Sequence, residues 1–206
     1  DSKADYKKKI EIRGVGNAES DSSSFEEKQY GDIWTNDEYL QFMYERLTIL
    51  YSLMKDGADI VLHCDWHKEH LLRCVMDEVF GPENFHNEII YCYSGGGIPK
   101  TEMPRKHDNI FWYSKGINWV FHTQYRPYSE GTMQRGRTAV KGENATLRAE
   151  GTPINDWWTD VKKITSPTDP EKLYYPTQNS EELLKRIIEM LSNPGDLVFD
   201  CFMGSG

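Results

Sequence analysis

Residues 58–64, ADIVLHC, form a continuous apolar, partly β-branched run too short for a helix and flanked on both sides by helical periodicity. Such a run reads as a buried strand, and the flanking segments supply what buries it. Before it, NDEYLQFMYERLTILYSLMKDG repeats Leu40, Met43, Leu47, Leu50 and Met54 at three- and four-residue steps. Asn36 can cap this helix and Gly57 can end it in a left-handed turn. After it, HKEHLLRCVMDEVFG places Leu71, Val75 and Val79 on one face of a second helix, closed by Gly81. NEIIYCY (87–93) and DNIFWYS (108–114) read as further strands joined by a Gly-rich connection. EELLKRIIEMLSNPGD then carries Leu183, Leu184, Ile187, Ile188 and Leu191 on a third helix, and DLVFD (196–200) reads as a buried strand feeding a terminal loop. Helices alternating with short apolar strands predict an α/β domain with a mainly parallel sheet.

The chain of 206 residues is long enough for one domain with a core, and an aromatic share of 13% argues against disorder throughout. Residues 14–32, GVGNAESDSSSFEEKQYGD, are rich in Gly, Ser and acids and read as a loop. No apolar stretch approaches the ~18 residues of a membrane span, and no signal-peptide pattern opens the sequence. Cys64, Cys74, Cys92 and Cys201 form no CxxC pair and read as buried free thiols of a cytoplasmic protein.

A formal charge of −9 argues against a general nucleic-acid coat, yet charge is unevenly spread. Residues 98–148 hold nine Lys or Arg against four acids. Trp119, Phe121, Tyr125 and Tyr128 are interleaved with them. Basic groups for phosphates with aromatic contacts between them suit a DNA-facing surface, and Arg105, Lys106, Arg126, Arg135, Arg137 and Lys141 are the candidates. Trp157 and Trp158 are expected to anchor the return of this segment to the core. In HCDWHKEH, His63 and Asp65 with His67 or His70 have the ligand types of a non-haem iron site. The plainer expectation is no metal, with His63 on a strand and Asp65 capping the next helix.

The last residues, DCFMGSG, have the Gly-rich form that lets backbone approach a nucleotide-like ligand beyond a strand. Together with YPTQNSEELLKRIIEMLSNPGD before them, they resemble the end-of-chain signature of the DNA amino-methyltransferases, which act on adenine N6 or cytosine N4. Thr177 and Gln178 match the family's Thr-Gln-Lys-Pro segment, while Asn179 and Ser180 replace its Lys and Pro. Asp200, Phe202, Gly204 and Gly206 match its Phe-x-Gly-x-Gly loop. The resemblance extends over nearly the whole chain through DSKADYKKKI, GADIVLHCDWHKEHLLRCVMDEVFGPENFHNEIIYCYS and HDNIFWYSKG, in the block order of the type III modification subunits.

That resemblance implies a Rossmann-like methyltransferase fold, with S-adenosyl-L-methionine held by Thr177, Gln178, Asn179, Asp200, Phe202, Gly204 and Gly206. It implies a target-recognition insertion at 116–172 within a single catalytic domain at 1–206. The substrate is expected to be double-stranded DNA with a flipped target base, and the partner a restriction subunit or a second copy. Adenine N6 is the expected acceptor and cytosine N4 the alternative. The catalytic Asp-Pro-Pro-aromatic block is expected just before Asp1, so the chain reads as an inactive fragment of a longer enzyme. Two rival classes stay open: a non-catalytic DNA-specificity module, and a metal-dependent oxygenase using His63 and Asp65. The methyltransferase reading requires Thr177 and Phe202 to share a cleft beside the start of the chain.

Overall fold

The computed structural model describes residues 5–11, 24–31, 36–95, 97–138, 146–164, 166–175 and 177–204, with backbone alone for 5–11, 24–31 and 36. Strands β1 (Asp5–Glu11) and β2 (Ser24–Gly31) pair antiparallel as a separate hairpin. Part of the acid-rich stretch expected to be loop is therefore strand. Its register sets Lys8 opposite Glu27 and Lys9 opposite Glu26.

The main sheet has the order β3 (Asp59–Asp65), β5 (His107–Ser114), β4 (Phe85–Cys92), β8 (Trp157–Trp158). Helix α1 (Asn36–Leu53) precedes β3, and α2 (Glu69–Phe80) carries the chain from β3 to β4. β5 is antiparallel to both β3 and β4, so those two run parallel with β5 threaded between them. β4 and β8 are parallel. The α/β class and a Rossmann-like βαβ crossover are observed, and the sheet is mixed rather than mainly parallel. Among the described residues no helix joins β4 to β5, and the chain returns antiparallel, where a helical crossover would have kept the strands parallel.

β5 is buried on both faces, which is why DNIFWYS shows no alternation. Phe111 and Tyr113 pack with Met43, Leu47, Leu72, Met76 and Phe80 on the α1/α2 side. Ile110 and Trp112 pack with Ile89, Tyr91, Trp158 and Val161, and with Leu183, Met190 and Leu191 of α4 (Glu181–Leu191). The buried stripe of α2 is Leu72, Met76 and Phe80, one position on from the expected one, with Val75 and Val79 at its margin. In α4, Leu183 is buried while Leu184 and Ile188 are exposed. Ser180 caps α4 by accepting from the Leu183 N–H. α1 stops at Leu53, four residues before Gly57, whose N–H donates to the Lys115 carbonyl in the following turn.

Between β5 and α4 come short elements: β6 (Tyr125–Arg126), α3 (Glu130–Arg135) and β7 (Thr152–Pro153), with β6 and β7 paired antiparallel. Of the two tryptophans expected to anchor this segment, Trp158 is 2% exposed and does so. Trp157, on the opposite side of the strand, is 48% exposed and does not. Residues 196–200 are not a buried strand. They pair with no strand among the described residues, and Leu197, Val198 and Phe199 are 94%, 53% and 69% exposed. A strand is held by its neighbours' hydrogen bonds, and apolar composition alone does not supply them.

Candidate nucleotide-cofactor site

The terminal loop turns on two local devices. The Asp200 carboxylate accepts from the Phe202 N–H at 2.9 Å, and Gly204 adopts a φ of +62°. A Cβ at Gly204 would lie 2.7 Å from the Tyr175 ring, so glycine is needed for both conformation and space. That close approach joins the two halves of the signature, because Tyr175 lies two residues before Thr177. The Phe202 ring is half-exposed and stands 6.5 Å from Phe42 of α1. Thr177 is exposed at the mouth of the segment.

Gln178 is committed to the protein itself. Its Nε2 donates to the Glu171 carbonyl at 2.5 Å, and its Oε1 accepts from the Leu173 N–H at 2.8 Å. This clamp ties Gln178 back to Glu171 and Leu173, beside the Tyr175 ring that Gly204 approaches. Asn179 is partly buried just ahead of the Ser180 cap. The start of the chain, beside which Thr177 and Phe202 are expected to share a cleft, lies outside the described residues, as does Gly206. The donor set nonetheless fits an adenosyl ligand: an exposed aromatic face, a carboxylate, a hydroxyl and a glycine turn that admits close backbone approach.

The basic candidates fall into two kinds. Arg105 makes a two-pronged pair with Glu102, at 3.0 and 2.6 Å, and lies 4.1 Å over the Trp66 ring. The Lys106 ammonium donates to the carbonyls of Gly95 and Gly97, tying down the Gly-rich turn. Arg126 and Arg137 are exposed, and Arg135, also exposed, donates to Thr132 at 3.2 Å. Lys141 lies outside the described residues.

His63 and Asp65 engage different partners. His63 Nε2 stands 3.2 Å from Asp108 of β5. Asp65 accepts from the His67 N–H at 3.0 Å and faces His67 Nδ1 at 2.9 Å. Asp65 therefore closes a turn; the residue preceding α2 is Lys68, which makes no side-chain cap. Burial pushes the Asp65 carboxyl up, but the His67 bonds outweigh it and leave it lowered. Among the described residues no three His, Cys, Asp or Glu side chains gather as metal ligands do.

Sequence reasoning missed Asp108. Its buried carboxylate also accepts from the Tyr93 hydroxyl at 3.0 Å and faces Lys163 at 3.6 Å. Burial raises it, while the His63 hydrogen bond, the Lys163 charge and Tyr93 together lower it below the usual range. Burial pushes the neighbouring Cys64 thiol up to about 12, which keeps it inert. Tyr91, beside this network, hydrogen-bonds Ser180 at the head of α4. The only sequence signal for Asp108 was its position at the start of a continuous apolar strand.

The family model described as "DNA methylase" matches residues 6–206. The chain belongs to this family of N6/N4 DNA methylases. It is 25% identical over 246 residues to the type II methyltransferase M.EcaI of Enterobacter cloacae, covering 90% of this chain and 54% of that protein. It is 23% identical over 178 residues to the DNA adenine methyltransferase YhdJ of Escherichia coli (strain K12), covering 82% of this chain and 58% of that one. A shorter match, 29% identical over 77 residues, is to the Mod subunit of the type III restriction-modification enzyme EcoP15I of Escherichia coli, covering 37% of this chain and 12% of the subunit. The chain thus spans little more than half the length of the first two relatives. No described helix is long and apolar enough to cross a membrane.

Proposed function

We propose that the protein transfers a methyl group from S-adenosyl-L-methionine to the exocyclic N6 amine of adenine in double-stranded DNA, as part of a restriction-modification system. The observation that carries this reading is the close approach of Gly204 to the Tyr175 ring, two residues before Thr177 in the chain. Membership of the DNA methylase family over 6–206 supports the reaction class. The relatedness to a protein named as a DNA adenine methyltransferase supports adenine over cytosine. The Mod-subunit match supports a restriction partner.

When bound, the cofactor supplies an electrophilic sulfonium methyl. The chain's own part is to hold it: Phe202 offers an aromatic face, Asp200 a carboxylate for hydroxyls, and Gly204 a turn open to close approach. An adenine amine is a weak nucleophile because its lone pair is delocalised into the ring. Hydrogen-bond acceptors and in-line placement therefore supply much of the acceleration. Those acceptors are assigned to the Asp-Pro-Pro-aromatic block of the family pattern, and no described residue is given that role. The base must leave the duplex stack to be reached, and the basic residues of 98–148 hold the backbone while it does. Residues 116–172 would read the target sequence.

The test combines two measurements on the protein as its gene encodes it. Calorimetric titration with S-adenosyl-L-methionine reads the cofactor cradle. Nucleoside analysis of duplex DNA after incubation with labelled cofactor should show N6-methyladenine. N4-methylcytosine would replace adenine with cytosine, and bound cofactor without any methylated nucleoside would overturn the assignment.

A further inference from the structure

A concave space of about 740 Å³ lies between the sheet and the base of the 116–172 segment, lined by none of the cofactor or basic candidates above. It exists because β8 pairs with β4 only at Ile90 and Tyr91. From Phe85 to Ile89 no described strand covers this edge of β4. The overhanging wall is firmly held. The Ile154 N–H donates to the Gln124 carbonyl at 3.0 Å, the Ile90 N–H to Asp156 at 2.7 Å, and the His122 N–H to Met190 at 2.8 Å. A second recess of about 420 Å³, lined by Arg73, Phe85 and Glu88, shares Asn87, Asp156 and Trp157 with the first across the open edge of β4.

Its chemistry is selective. Trp157 and Phe121 are each about half exposed, and the Phe121 ring stacks on Trp112 at 5.4 Å. Asn87, Thr123, Gln124, Asn155 and Asp156 bring hydrogen-bonding groups to the same space. The Arg126 guanidinium stands 5.5 Å over the Trp157 ring. An aliphatic ligand would leave the amides without partners. A bare anion would face the exposed Asp156. A nucleotide meets every feature: a ring to stack, an edge that donates and accepts, and a phosphate for arginine.

We propose that this groove takes an unpaired nucleotide of the DNA strand, with its base stacked on Trp157, its edge against Asp156, Asn155 and Gln124, and its phosphate beside Arg126. The proposal rests on the reading that DNA is the substrate, and it assigns a second extrahelical position distinct from the methyl acceptor. Asp156 accepts most readily from an exocyclic amine, so adenine, cytosine or guanine is preferred there over thymine. By holding a displaced neighbour, the groove would keep the duplex open while the target base is engaged.

The test uses the full protein and a pool of duplexes carrying 5-iododeoxycytidine at varied positions. Irradiation should cross-link Trp157 or Phe121, as read by peptide mapping. Trp157→Ala should weaken duplex binding by about tenfold or more, whereas Trp157→Phe, which keeps a ring, should restore most of it. Melting temperature and cofactor affinity should stay unchanged in both. Cross-links confined to other residues, or a Trp157→Ala variant that binds as tightly as wild type, would overturn the proposal. So would full competition by deoxycytidine monophosphate, which would make this a free-nucleotide site, or by an extended peptide, which would make it a strand-docking edge. The cross-link reads the groove whether or not methylation is observed, so failure of the catalytic reading and failure of this one are separable.

Discussion

His63 and Asp108 face each other at 3.2 Å from adjacent antiparallel strands, directly beside the Tyr91–Ser180 contact at the head of α4. The folded Asp108 carboxyl is held below its ordinary 3.8. Its contribution is therefore fully present above that value and is lost as pH falls through the folded pKa. Asp108→Asn should cost about 1–3 kcal/mol at pH 7, because a buried charge-assisted network loses its charge and one of its two accepting oxygens. The same variant should unfold less steeply than wild type on acidification below about pH 4. Denaturant midpoints at pH 7 and pH 3 check both, and parallel acid limbs would contradict the assignment.

Gly204→Ala should displace the terminal loop, since the new methyl meets the Tyr175 ring in a left-handed conformation. A penalty of about 1–2 kcal/mol predicts roughly tenfold weaker cofactor binding by calorimetry. In a Tyr175→Ala background the added loss should shrink. An undiminished loss there would show that Tyr175 is not what constrains the loop.

Leu183 and Leu184 are neighbours in one helix with opposite fates. Leu183→Ala removes a core side chain of the α4 face and should destabilise by about 2–5 kcal/mol. Leu184 is exposed, so its alanine variant should stay within about 0.5 kcal/mol of wild type. Equal effects in chemical denaturation would mean that the α4 face is misassigned.

Duplex binding should separate the basic residues. Arg137 is exposed, and replacing it with alanine should lower the slope of log affinity against log salt by about 0.9. Arg105 is engaged by Glu102 and Trp66, so its variant should change that slope less. The reverse ranking would place the phosphate track beside Arg105 instead.

Much of this architecture was legible because its signals are local. The helical period of 181–191 and the Thr-Gln and Phe-x-Gly-x-Gly segments carry their meaning within a few residues. What stayed hidden depends on distant partners. Nothing near Asp108 announces His63, which is 45 positions away. The direction of β5 follows from the absence of a helix in 93–106, an absence that composition registers poorly. Trp157 and Trp158 look alike in sequence, yet a strand sends neighbouring side chains to opposite faces, so one closes the core and the other lines a groove. The 196–200 run looks like a strand by composition, but its ladder partners decide whether it is one.

The slot that β5 occupies has a consequence for biogenesis. β3 and β4 are made first and lie parallel with a one-strand gap between them, so during synthesis the sheet cannot close until residues 107–114 have emerged. Until then both strands expose apolar faces and open edges, the species on which aggregation and chaperone capture act. The ribosome's progress through DNIFWYS is thus the moment at which the nascent domain gains its hydrophobic centre.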